Sequence, residues 1–173
     1  IGMGFAHSGD AVFLLGETRE DLSGTTWADV VHNGHLGGMP PLPDFDHEKR
    51  LASVLVSAAK AHLLSSAHDL ADGGLSQALV ESCLRRGLGV ALRLPEGDPT
   101  VALFAETPGR VLVSLPASTA GAFLALCEQQ GIAAERLGEV TELPELEVVG
   151  RFTLDLDELR TRWTAPLREA MAH

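Results

Sequence analysis

Five apolar residues in a row, Ala11–Leu15, stand between Asp10 and Gly16. So short an uninterrupted apolar run predicts a buried strand. Thr26–Asn33 reads as a short helix. Gly34–Asp46 holds three prolines and the pair Gly37-Gly38, which predicts an extended surface loop. Asp46 then caps a helix with the apolar stripe Leu51, Val54, Leu55, Ala58 and His62. Leu63–Ala67 reads as a strand. Leu75, Ala78, Leu79 and Cys83 follow at helical spacing, predicting a helix through Arg86 that Gly87 stops. Val90–Leu94 reads as a strand, Pro99–Ala105 as a short helix and Arg110–Leu115 as a strand. Ser118–Gln130 is a helix ended by Gly131. Ala134–Thr141, Leu146–Val149 and Phe152–Leu154 read as strands. A last helix starts at Asp155 or Asp157, and Pro166 should kink or break it. Strands and helices alternate irregularly, and the consecutive strands near the C-terminus suit antiparallel neighbours. The expected fold is one α+β domain with a mixed or antiparallel sheet and no internal repeat.

The chemistry concentrates in His68-Asp69-Leu70-Ala71-Asp72-Gly73-Gly74-Leu75, where a strand turns into a helix. The glycines permit a tight bend and close approach of a ligand. The helix start offers unpaired N–H groups and partial positive charge, which suits an anion such as a phosphate at Gly73, Gly74 and Leu75. Asp72 equally suits an N-cap on the same donors. Asp69 and Asp72 read either as a polar wall beside a bound sugar or Mg²⁺, or as turn residues. His68 is a candidate acid or base, or a half-buried hydrogen-bonding residue at a strand end. Glu106 and Arg110 flank Pro108-Gly109. Arg110 suits a bidentate grip on phosphate or carboxylate, or the two pair with each other across the turn.

Composition narrows the partners. The chain has 173 residues, 45% hydrophobic and 21% charged, with 13 Lys+Arg against 24 Asp+Glu for a net charge of −11. That excess argues against non-specific attachment to nucleic acid or to a membrane, both of which are anionic. No stretch approaches the ~20 apolar residues of a membrane-spanning helix, and Ile1–Leu15 lacks the basic start of a signal peptide. Cys83 and Cys127 each sit in a helical apolar pattern. They read as reduced buried thiols, which points to the cytoplasm. His7, His32, His35, His47 and His62 lack the i,i+4 spacing of a helical zinc pair. No GxxxxGK[ST] loop is present, so any ATP site is of another kind.

Several segments together resemble one family. His68–Leu75 resembles an HDxSDGGL segment, and Gly9–Gly16 (GDAVFLLG) resembles a GDxIYLLG strand. Gly38–Arg50 (GMPPLPDFDHEKR) resembles a G-PP-D-x-EKR segment, and Phe104–Arg110 (FAETPGR) resembles FSESPGR. Asp157–Met171 looks like a C-terminal helix of the same family. These belong, in this order, to the C-terminal domain of phosphoribosylformylglycinamidine synthase large (synthetase) subunits, in the aminoimidazole-ribonucleotide-synthetase-like superfamily. Two positions depart from the pattern. Ala71 stands where the family has Ser, and Thr26 where the acid of its LGGSEY segment falls.

The resemblance implies a three-layer α/β/α sandwich with a mixed, largely antiparallel sheet, partly ferredoxin-like. It implies one synthetase-type domain over residues 1–173, a fragment of a longer chain, with 1–10 as connector and 157–173 as C-terminal helix. The implied activity is ATP- and Mg²⁺-dependent conversion of formylglycinamide ribonucleotide, with glutamine-derived ammonia, to its amidine. The implied partners are the upstream domains, a glutaminase subunit or domain, and a small accessory subunit. In that picture Asp69, Asp72, Gly73, Gly74 and Leu75 hold the ribonucleotide phosphate, Glu106 and Arg110 support them, and Asp69 is the candidate Mg²⁺ ligand. The expected fragment is inactive alone. Two alternatives stay open: a non-catalytic packing domain, and a related ATP-using synthetase of hydrogenase-maturation or selenophosphate type.

Overall fold

The alternation of faces along Ala11–Leu15 (β1) explains why every residue in it is apolar. In the computed structural model, which describes residues 1–171, all five are buried. Val12 and Leu14 belong to one core cluster, and Ala11, Phe13 and Leu15 to another on the opposite face. A strand covered on both faces cannot alternate with polar residues.

The remaining elements are α1 (Thr26–Val31), α2 (Phe45–Lys60), β2 (Ser66–Asp69), α3 (Gly74–Arg86), β3 (Gly89–Leu92), α4 (Pro99–Phe104), β4 (Val111–Leu115), a 3₁₀ turn at Ala117–Thr119 leading into α5 (Ala120–Gln129), β5 (Ala134–Thr141), β6 (Glu145–Val148), β7 (Phe152–Asp155) and α6 (Leu156–Met171). The strands form one seven-stranded sheet in the order β2-β4-β1-β5-β3-β6-β7. Every neighbouring pair is antiparallel except β3 with β6.

On one face α2 contributes Leu51, Val54 and Ala58 and α5 contributes Phe123 and Cys127. They pack on Phe13, Val111, Val113 and Leu115. Phe13 and Phe123 meet edge to face, with centroids 6.1 Å apart. On the other face α3 brings Leu75, Ala78, Leu79 and Cys83, and α6 brings Leu156, against Val12, Leu14, Leu92 and Leu112. The result is the expected α/β/α sandwich. Taking β1-α2-β2 and β4-α5-β5 alone, the spatial order β2-β4-β1-β5 is that of a ferredoxin-like βαββαβ unit. The segment α3-β3-α4 is inserted between its halves.

Several boundaries differ from expectation. The strand expected at 63–67 lies at Ser66–Asp69, so His68 and Asp69 are strand residues, paired with Leu112 and Val111. Leu63 instead closes the end of α2 through its N–H to the Ala58 carbonyl, 2.9 Å. Asp44, not Asp46, caps α2, its Oδ1 accepting from the Asp46 and His47 amides at 3.0 Å. His62 lies beyond α2, exposed, and is no part of its buried stripe. Pro166 does not break α6. It removes only the N–H that would meet the Arg162 carbonyl, and the turns on either side carry the helix on. The end expected for that helix, residues 172–173, lies outside the described residues. The segment before β1 is anchored at two points: Phe5 is fully buried and its N–H bonds the Ser82 carbonyl at 3.0 Å, and Gly2 bridges the edge strand β2 at Ser66.

Both cysteines are buried and unpaired. Burial pushes the Cys83 thiol up to about 12 and the Cys127 thiol up to about 11. Because the folded-state values are raised, their contribution to stability is complete below the ordinary thiol pKa and is lost as pH climbs through that window. A disulfide-exchange reagent at pH 8 should therefore modify neither thiol natively and both in denaturant. Native modification at the denatured rate would contradict this packing.

Candidate functional site

The turn after β2 is shaped by glycines and by a carboxylate from far along the chain. Gly73 takes the left-handed conformation, φ 78°, and starts α3 without a side-chain cap. Asp72 is therefore not the N-cap. The Gly73 N–H instead donates to Glu106 Oε1 at 2.7 Å, and the same oxygen accepts the Thr26 N–H at 2.9 Å. The Gly74 N–H bonds the Ala71 carbonyl at 3.0 Å. Of the three amides expected to face an anion, only that of Leu75 has no hydrogen-bond partner among the described residues. Gly74 is also required for contact. A Cβ there would lie 2.5 Å from the Ala105 carbonyl oxygen, and its φ is +60°.

A cleft of about 510 Å³ opens beside this turn, lined by His68, Asp69, Ala71, Asp72, Gly73, Gly74, Gln77, Glu81, Thr26 and Ala78. The structure thus brings together His68, both aspartates and both glycines, and puts the Leu75 side chain beneath them in the core. His68 Nε2 meets Glu81 Oε2 at 2.6 Å, and the other Glu81 oxygen accepts from Gln77 Nε2 at 3.1 Å. His68 Nδ1 is buried without a hydrogen-bond partner, 3.6 Å from Asp69 Oδ1. The His68 side chain is only 11% exposed and Asp69 80%, so the histidine is tied to the wall while the aspartate reaches solvent. Gln77 and Glu81 escape a motif-centred reading. Their signal is the i,i+4 spacing on the face of α3 that begins at Gly73.

Glu106 and Arg110 do not pair. Arg110 is 1% exposed and turned inward. Its Nε donates to the Thr107 carbonyl at 3.3 Å, one terminal nitrogen to Thr18 Oγ1 at 2.9 Å and the other to the Ala105 carbonyl. Burial pulls its pKa down to about 10, opposed by the Asp21 charge. It remains a cation at neutral pH, and each of its three nitrogens donates to the protein. Of its two expected roles, these contacts show neither a pair with Glu106 nor a side chain turned to the cleft: Arg110 braces the loop that presents Glu106.

The cleft is lined by the carboxylates of Asp69, Asp72 and Glu81 and by no Lys or Arg. Carboxylates are the ligands a hard cation such as Mg²⁺ takes, and the Asp69 side chain is 80% exposed, whereas both Glu81 oxygens are engaged by His68 and Gln77. The cleft does not fit a bare triphosphate, which those carboxylates repel. Among the described residues no three His, Cys, Asp or Glu side chains converge as a ready metal cage. The two departures from the family pattern touch the turn through backbone atoms, the Ala71 carbonyl and the Thr26 amide.

The fold and this turn define the class. The family model for the AIR synthase related protein, C-terminal domain, matches residues 7–151, and the chain belongs to that family. Among curated relatives, phosphoribosylformylglycinamidine synthase subunit PurL of Cutibacterium acnes is 55% identical over 99% of this chain and 23% of its own length. The Nocardioides sp. subunit of the same name is 52% identical over 94% of the chain and 21% of its length. The chain thus spans less than a quarter of the relatives it matches. Among solved structures, Thermotoga maritima PurL complexed with FGAR superimposes with TM-score 0.78 at 18% identity, over 92% of this chain and 29% of that one. The E. coli hydrogenase maturation protein HypE gives TM-score 0.62 at 17% identity, over 90% and 51%. These structures share the fold.

Gly74→Ala should cost about 2 kcal/mol or more, from the left-handed φ and the clash with the Ala105 carbonyl. Urea denaturation of the purified variant measures it, and a loss below about 0.5 kcal/mol would show that the loop can retreat.

Proposed function

We propose that this chain is the C-terminal domain of a phosphoribosylformylglycinamidine synthase synthetase subunit acting in purine biosynthesis in the cytoplasm. The observation that carries the reading is the near-complete match of the chain to relatives of that name. The acidic cleft beside the glycine turn supports it.

In this reading formylglycinamide ribonucleotide lies against the turn. The bare Cα atoms of Gly73 and Gly74 allow close approach, and the Leu75 amide is the donor left for the phosphate. Asp69 and Asp72 form the polar wall, and a cation held by Asp69 offsets their charge. His68, clamped by Glu81, keeps the wall in place. ATP supplies the phosphoryl group that activates the amide oxygen, which ammonia from a glutaminase partner then displaces. The residues that hold ATP lie outside this cleft, which lacks the cationic side chains a triphosphate needs. The glutaminase, a small accessory subunit and the upstream domains are the partners of the whole enzyme.

Two measurements test this. The 173-residue chain alone should form no amidine from the ribonucleotide, ATP and ammonia. Turnover by it would refute the division of labour. In the full-length polypeptide, Gly73→Val should raise the ribonucleotide KM, because the branched side chain meets a φ of 78° and crowds Gln77, 2.8 Å from its Cβ. An unchanged KM in a protein that only melts earlier would make the turn purely structural.

A further inference from the structure

We infer that Glu106 is a positioning residue that locks the glycine turn to the start of α1, so that the two walls of the cleft move as one. A single oxygen accepts from Gly73, 33 residues away in sequence, and from Thr26, 80 residues away, at 2.7 and 2.9 Å. Thr26 and Gly73 both line the cleft. Between the segments they belong to, no other hydrogen bond is found among the described residues. The carboxylate fills the place an external anion would take at the first amide of the helix start, where N–H donors and partial positive charge favour it. It is held there from behind, because the carbonyls of its neighbours Ala105 and Thr107 are gripped by the buried Arg110. A ligand at this turn therefore meets a surface whose first donor is already satisfied. With the Gly74 amide also taken by the Ala71 carbonyl, the next amide left for an anion is that of Leu75, two residues along the helix.

The inference goes beyond the proposed function but rests on it in one respect, that the turn faces a ligand. Amide hydrogen exchange by NMR on the 173-residue chain tests the lock without any ligand. Glu106→Ala should speed exchange at Gly73 and Thr26 together by roughly tenfold, against little change in β1 and β4. Glu106→Gln keeps an acceptor oxygen in place and should hold both amides within roughly threefold of the native rates. Thr26→Pro removes only the α1 arm, at a first helical position that tolerates proline. It should loosen Trp27–Val31 and leave Gly73 protected. Slow exchange persisting at either amide in Glu106→Ala, or a rise shared evenly with the whole sheet, overturns the lock. In the full-length polypeptide, Glu106→Ala should raise the ribonucleotide KM by roughly tenfold more than it lowers kcat, and Glu106→Gln should restore it. A loosened turn with unchanged KM would uphold the lock while refuting the ligand-facing reading.

Discussion

A buried guanidinium organises this end of the molecule. Arg110 immediately precedes β4 and is 1% exposed, and an Arg so placed is tolerable only if its nitrogens find acceptors. Each of its three nitrogens finds one acceptor, in the carbonyls of Ala105 and Thr107 and the hydroxyl of Thr18. Satisfying it therefore curls residues 105–110 into a fixed loop, and the other contacts follow from that shape. The Ala105 carbonyl sits where a Cβ on Gly74 would be. The Gly109 carbonyl meets His47 Nε2 of α2 at 2.8 Å. The Thr107 hydroxyl accepts the Arg19 amide at 3.1 Å. Glu106 is left pointing at the glycine turn. One buried charge thus fixes the relation of β1's exit, α2, α1 and α3.

The same arrangement separates scaffold from chemistry. The turn is held by backbone amides, one carboxylate and a missing Cβ, none of which depends on the side chains at positions 71 or 26. Ala71 and Thr26 enter that hold through backbone atoms alone, the Ala71 carbonyl and the Thr26 amide, so their side chains are free to vary without touching it.

Much of the fold was legible in the sequence, and the exceptions share a cause. β1 and β5 were read at their full extents because burial on both faces, or a long regular run, leaves a local pattern. α3 was bounded by Gly87, whose left-handed φ of 74° ends it. β2 was misplaced because it is an edge strand of mixed character, Ser-Ala-His-Asp, while the more apolar Leu63-Leu64 before it merely closes α2. The cap of α2 was misassigned between two aspartates two residues apart, which local composition does not distinguish. For the site, the glycine turn was visible as a motif. What occupies its first amide was not, since that partner arrives from 33 residues away. Nor can a sequence show whether an arginine faces in or out. Arg110 invited a ligand role because it is charged, and its neighbours turned that charge to the interior.

Electrostatics then sets what the domain can do by itself. The chain carries a net charge of −11, and the cleft beside the turn adds carboxylates without a lysine or arginine to balance them. Arg110 lies behind the turn, buried, and does not line the cleft. A phosphate-bearing ligand gains little here from the free amide at Leu75 unless positive charge is brought in, because repulsion between like charges at a few ångströms exceeds the net worth of one neutral hydrogen bond. The missing charge has two sources consistent with the geometry: a divalent cation on the accessible Asp69, or basic side chains of the polypeptide beyond this domain. On the reading proposed above, either source would offset the carboxylates that line the cleft.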